Sequence, residues 1–160
     1  MKTALFPGSF DPLHNGHLEI VEMAARTFDQ VVMAPLYNSR KGVPLFDLEE
    51  RAEMITEAVA HLDNVSVALG HGLAVDLARK VGADVIVKGL RVASDFEHEL
   101  QMAQMNEALS GVLTVFLPCA STSSFIASSL IRDIVRLGGA ERVGSMVPPQ
   151  VAKRLIGCHQ

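Results

Sequence analysis

Cysteine is scarce: Cys119 and Cys158 are the only two in 160 residues, and they form no C-x-x-C pair. A disulfide framework and a cysteine-built metal site are excluded, and free thiols suit a reducing compartment. Basic residues are not in excess either, with 14 Lys and Arg against 18 Asp and Glu and a net charge of −4. A polynucleotide partner, which needs a basic face, is therefore not expected. No apolar run reaches the ~18 residues of a membrane span. The opening "MKTALFPGSF" is interrupted at Pro7 and Gly8, too soon for a signal peptide. The phosphate loop G-x-x-x-x-G-K-[ST] is missing, which excludes a P-loop NTPase. Internal repeats and low-complexity tracts are missing as well. What remains is a cytoplasmic protein with no nucleic-acid or membrane partner. Its apolar content of 49% suffices for one full core. The expectation is a single domain over residues 1–160, with a helical tail from about residue 138.

Short apolar runs recur at residues 3–6, 31–36, 65–69, 85–87 and 112–117. Several lack polar alternation, as strands covered on both faces do. Helical stripes separate them: Leu18, Val21, Ala24, Ala25; Leu48, Ala52, Ile55, Val59, Leu62; Leu73, Leu77, Ala78, Val81; and Phe96, Leu100, Ala103, Leu109. Asp47 with Glu50 resembles a capping box, and Gly82 is placed to end a helix. Strands alternating with helices predict an α/β fold with a doubly wound, five-stranded parallel sheet. Ligands in such sheets bind beyond the strands' carboxyl ends.

The first of those ends carries "PGSFDPLHNGH". A helix starting near Asn15 or Gly16 aims free N–H groups and its positive dipole end into the loop, which favours an anion. His17 then sits in the first turn, where an imidazole N–H reaches a phosphate oxygen, and Ser9 adds a hydroxyl. His14 and His17 alone supply two metal ligands of three or four, so an anion explains the loop better than a metal. A polar turn with no ligand is the remaining alternative.

The other strand ends differ in what they offer. "NSRKGVPLF" places Arg40 and Lys41 where they either steer an acidic ligand or form a solvated basic loop. "GHGLAV" matches a dinucleotide fingerprint only weakly, because Val75 stands at the third glycine. "KGLR" sets Lys88 and Arg91 around Gly89 and Leu90 where an apolar strand ends. A phosphate ligand resolves those cations, and local ion pairs with Asp95, Glu97 or Glu99 are the alternative. Before the last helix stand Ser121, Thr122, Ser123, Ser124, Ser128 and Ser129. Ser128 or Ser129 is a candidate N-cap, and that helix start is a second candidate anion site. Phosphate-type donors therefore recur without a nucleophile–base–acid triad, as in a site that aligns two phosphorylated molecules.

"HNGH" resembles the H/T-x-G-H signature of the nucleotidyltransferase superfamily, and "SSLIR" its serine-rich second signature. With "KGLR", "DFEHELQMAQMN" and "SFIASSLIRDI" in this order, the chain closely resembles the bacterial phosphopantetheine adenylyltransferases, to about Leu137. The resemblance implies a Rossmann-like nucleotidyltransferase fold. It also implies transfer of AMP from ATP to 4′-phosphopantetheine, giving dephospho-coenzyme A and pyrophosphate. By the same resemblance His17 is the catalytic donor, Ser9 contacts both substrates, and Phe10 belongs to the nucleotide site. Lys41 and Lys88 hold the acceptor phosphate, and Leu73 and Ala74 line the pantetheine arm. Gly89, Leu90, Arg91 and Glu99 contact ATP, over which Ser123, Ser124, Phe125, Ile126, Ala127, Ser128 and Ser129 close. Mg²⁺ is implied as a bridge between phosphates, with no protein cage of its own. A homohexamer is implied too, with coenzyme A as a candidate regulator.

The chain departs from the family at three positions. His98 stands where many members have tyrosine, Ser123 where an aromatic residue is frequent, and Ala127 at the first serine of a typical triple. Met102 and Met105 extend the apolar surface of the fourth helical stripe. Either that helix is buried all round in the monomer, or it is apolar on two faces for a partner. The competing functions are a cytidylyl or nicotinamide-mononucleotide transferase and a non-catalytic nucleotide-binding module.

Overall fold

The computed structural model describes residues 1–38 and 42–158; Arg40 and Lys41 lie outside the described residues. Five strands, β1 Thr3–Gly8, β2 Gln30–Pro35, β3 Val65–Val67, β4 Val85–Leu90 and β5 Leu113–Pro118, alternate with α1 Asn15–Thr27, α2 Leu48–Ala58, α3 Ala74–Val81 and α4 Ala93–Ser110. After β5 come α5 Ser128–Arg136, a 3-10 helix Ala140–Met146 and α6 Pro149–Gly157. The sheet order is β3-β2-β1-β4-β5 and every pairing is parallel. The expected doubly wound α/β fold is what forms, with the order reversing between β1 and β4.

Period-two alternation assigns the strand residues to opposite faces. Ala4, Phe6, Val31, Met33 and Val87 pack with residues of α1, α2 and α5. Leu5, Val32, Ala34 and Ile86 pack with Val75, Leu77 and Ala78 of α3. The C-terminal segment joins the first core, where Val143, Val151 and Leu155 are fully buried. Arg154 of α6 donates to Glu53 and Glu57 of α2, and the Asn15 amide donates to Ser145 O at 2.9 Å.

The caps at α2 and α3 are those the sequence announces. Asp47 accepts from the Glu50 N–H at 2.8 Å while Glu50 accepts from the Asp47 N–H at 2.9 Å. Gly82 closes α3 at φ +68°, a conformation that costs a β-carbon-free residue nothing. Three details differ. The fourth strand runs past its apolar run to Leu90, because pairing with β5 continues through Lys88, Gly89 and Leu90. Neither serine caps α5: its N-cap is Ala127, which makes no side-chain bond, and Ser128 Oγ donates to Pro12 O instead. The alternative that α4 is buried all round also fails, since none of its residues is buried and Met105 is 57% exposed.

Candidate active site

Where the sheet order reverses, the ends of β1 and β4 bound a cavity of about 370 Å³. Gly89 has no β-carbon because one there would lie 2.9 Å from Ile20 Cγ1, so α1 packs directly against β4. That close approach brings the α1 start beside Lys88 and Arg91. From the other side α5 presents Ala127, Ser128 and Ser129 to the same space. Two helix N-termini thus meet at one cavity, and both favour an anion there.

His17 lines the cavity between two rings. His14 stacks on it with centroids 3.6 Å apart, and Phe10 meets it edge-on at 4.9 Å. Phe10 is buried at φ +46°, part of the core more than of the cavity wall. Burial first, then the Arg91 charge, pushes the pKa of His14 down to about 4. Ser9 lines the cavity as well, and its carbonyl accepts from the buried Arg51 at 2.9 Å.

Lys88 of β4 and Arg91 just after it both face carboxylates of α4. Arg91 Nε lies 3.1 Å from Asp95 Oδ2, and its Nη1 donates to Ile126 O at 3.0 Å. Lys88 Nζ lies 3.6 Å from Glu99 Oε2. The local ion pairs weighed against a phosphate ligand therefore exist, between half-buried side chains at the cavity rim. Both cations also line the cavity, where a multiply charged phosphate would compete for them. Guanidinium has five N–H donors, so Arg91 can meet an anion while still holding Ile126.

Of the expected residues, Ser9, Phe10, His17, Lys88, Gly89, Arg91, Glu99, Ala127, Ser128 and Ser129 line this cavity. Leu90 ends β4 beside them. Leu73 and Ala74 stand outside its lining, at the exposed start of α3. Ser124 and Phe125 are on the loop before α5, Phe125 with 61% of its surface exposed. Ser123, far from presenting itself to a base, is buried with its hydroxyl on Glu19 of α1. His98 is exposed on α4.

Asp95, expected as an ion-pair partner, lines the cavity too, as do Arg132 and Cys119, for which the sequence suggested no role. Arg132 closes the "SSLIR" signature; it is buried, and its Nη1 donates to Asp11 O at 2.6 Å. Its position in the signature was the available signal. Burial, then the Glu19 carboxylate, pushes the Cys119 thiol up, so it presents an uncharged sulfhydryl.

The profile of the cytidylyltransferase-like family matches residues 5–134. A phosphopantetheine adenylyltransferase of Gloeobacter violaceus is 53% identical over 153 residues, covering 95% of this chain and 93% of that one. The chain belongs to the phosphopantetheine adenylyltransferases. It is an enzyme of the nucleotidyltransferase type.

Solved structures of low identity share the fold. Thermotoga maritima TmcAL, solved with alpha-thio ATP, matches at a TM-score of 0.71 and 14% identity, over 98% of this chain and 55% of that one. A bifunctional NMN adenylyltransferase/ADP ribose pyrophosphatase of Francisella tularensis gives 0.68 and 15%, over 98% and 49%. Phosphopantetheine adenylyltransferase membership thus brings the expected fold and catalytic class.

Proposed function

We propose that this chain transfers the adenylyl group of ATP to 4′-phosphopantetheine at the β1/β4 cavity. The convergence of His17, Lys88, Arg91 and two helix N-termini on one space carries this reading. Such a set binds phosphates and stabilises charge, and it contains no group poised to take a proton. None is needed, because the acceptor phosphate is already an anion at neutral pH. An acceptor oxygen attacks the α-phosphorus of ATP, the bond to the β-phosphate breaks, and pyrophosphate leaves with the electron pair. His17 donates a hydrogen bond to the oxygens on which charge grows. Lys41 and Lys88 hold the acceptor phosphate, and Ser9 contacts both substrates. Gly89, Leu90, Arg91 and Glu99 engage the nucleotide, and residues 123–129 close over it. Leu73 and Ala74 receive the pantetheine arm beyond the cavity. Alignment of two phosphates supplies the rest of the barrier reduction.

Magnesium, in this reading, arrives with the phosphates. Among the described residues no three His, Cys, Asp or Glu side chains cluster as metal ligands. Asp95 and Glu99 each face a cation already, so the residues do not fit a protein-built cage and no step is assigned to the ion.

Among the described residues no helix is long and apolar enough to cross a membrane. A cytoplasmic enzyme is the setting we infer, with coenzyme A as a candidate regulator. The homohexamer belongs to the same proposal: α4 exposes Phe96, Leu100, Met102, Met105 and Leu109 along its length, more apolar surface than an unpartnered helix usually shows.

The test is incubation with Mg-ATP and 4′-phosphopantetheine, followed by mass detection of dephospho-coenzyme A. Product with this pair alone supports the reading. Turnover only with CTP, or only with a nicotinamide mononucleotide acceptor, transfers it to another nucleotidyltransferase. Binding of ATP without any product identifies a nucleotide-binding module.

A further inference from the structure

His14 and His17 cap each other. The backbone N–H of His17 is shared between His14 O at 3.0 Å and His14 Nδ1 at 3.3 Å, and the backbone N–H of His14 donates to His17 Nδ1 at 3.2 Å. A backbone amide can only donate, so each Nδ1 must offer its lone pair. A ring that accepts at Nδ1 is neutral and carries its single proton on Nε2. The geometry of one helix start therefore dictates the tautomer of both imidazoles.

We infer that this reciprocal cap is a tautomer lock, and that His14 is a positioning residue which holds His17 as the Nε2–H donor facing the cavity. Histidine is an unusual N-cap; Ser, Thr, Asp and Asn lead that position. What a histidine adds is a flat surface. The two rings stack at 20° between planes, and Phe10 closes the other side at 78°. His17 thus cannot swing about its own bonds without breaking the cap, the stack and the edge contact together. His14 is only 3% exposed, so water offers its ring little competition for the capping proton. Gly16 completes the arrangement: a β-carbon there would lie 3.0 Å from His14 Cε1, and glycine leaves the ring room to reach the His17 amide.

The lock has a consequence for the chemistry. A ring committed at Nδ1 and protonated at Nε2 gives a hydrogen bond and accepts no proton at the cavity. It stabilises charge on the α-phosphoryl oxygens and does not act as a general base. This consequence rests on the adenylyl-transfer reading, whereas the tautomer itself does not.

The test is a long-range proton–nitrogen correlation spectrum of the full chain labelled with ¹⁵N-histidine at neutral pH. His14→Asn and His17→Gln variants assign the signals. Both rings of the wild type are expected as single Nε2–H tautomers. A protonated Nδ1 on His17, or an average of two tautomers, overturns the lock. His14→Ala, which keeps the backbone N–H but removes the stack and the side-chain half of the cap, frees the His17 ring to turn. It is expected to give that ring mixed tautomers and to lower turnover by roughly tenfold to a hundredfold, the cost of a misplaced group. His14→Asn keeps a capping oxygen and is expected to restore the single tautomer and most of the turnover. A single unchanged tautomer in His14→Ala removes His14 from the positioning role. No substrate is needed for the spectra, so loss of the lock and failure of adenylyl transfer are read separately.

Discussion

Arg91, which follows β4, and Asp95 in the first turn of α4 form an ion pair of 3.1 Å at the cavity between β1 and β4. Arg91 also holds Ile126 O on the loop before α5. On the proposed function, the carboxylate holds the guanidinium in place until a nucleotide competes for it. Both side chains are about one-third exposed, so the pair is worth under about 1 kcal/mol. Asp95→Asn is expected to tighten ATP binding by roughly twofold to fivefold in isothermal titration, most clearly at low salt. Weaker binding in Asp95→Asn would show instead that Asp95 assists the nucleotide.

α5 begins without a side-chain cap. Ala127 stands at the N-cap with extended backbone angles, φ −137° and ψ 134°, and makes no side-chain bond. Serine fits that backbone and reaches the free N–H groups. Ala127→Ser is expected to raise stability by about 1 kcal/mol, read as a higher urea midpoint with unchanged slope. An unchanged midpoint would mean the helix start is already satisfied.

Acid should find His14. Its pKa is lowered from 6.5 to about 4, chiefly by burial, so below pH 6.5 the unfolded chain binds a proton that the folded chain refuses. Stability is untouched above pH 6.5, falls as the pH drops towards 4, and levels off below that. Between pH 7.5 and pH 4.5 the loss amounts to about 2–3 kcal/mol. His14→Asn has no such group, and its unfolding free energy is expected to fall by that much less over the same window. Equal losses in the two proteins would contradict the assignment.

The exposed apolar face of α4 predicts assembly. Met105 is 57% and Leu109 55% exposed on that helix, so a charge there disturbs no buried contact of the monomer. Met105→Glu is expected to sediment as a smaller species with unaltered far-UV circular dichroism. A wild type that sediments as a monomer would leave the face without a self-partner.

Much of this was legible in the residues. The buried strands betrayed themselves by continuous apolar runs, and Asp47–Glu50 and Gly82 marked their helix ends because capping is a local, short-range bargain between neighbours. The end of β4 was not legible from its apolar run, because Lys88 and Gly89 are held in the strand by hydrogen bonds to β5, far away in sequence. Ser128 fits an N-cap from the sequence, yet its hydroxyl bonds to Pro12, 116 residues distant. Ser123 turned inward to Glu19 for the same reason. At the site, His17, Lys88 and Arg91 stood out as polar groups at strand ends. Asp95 was legible only as one of three carboxylates near those cations, and Arg132 not at all, since its meaning lies in the Asp11 carbonyl it faces across the fold.

The most direct measurement is steady-state turnover of His17→Ala with Mg-ATP and 4′-phosphopantetheine, set beside its ATP affinity. Loss of one donor aimed at developing charge predicts a fall in kcat of roughly a hundredfold to a thousandfold, with ATP affinity held within a few-fold and the fold intact. Turnover equal to that of the wild type would contradict the account.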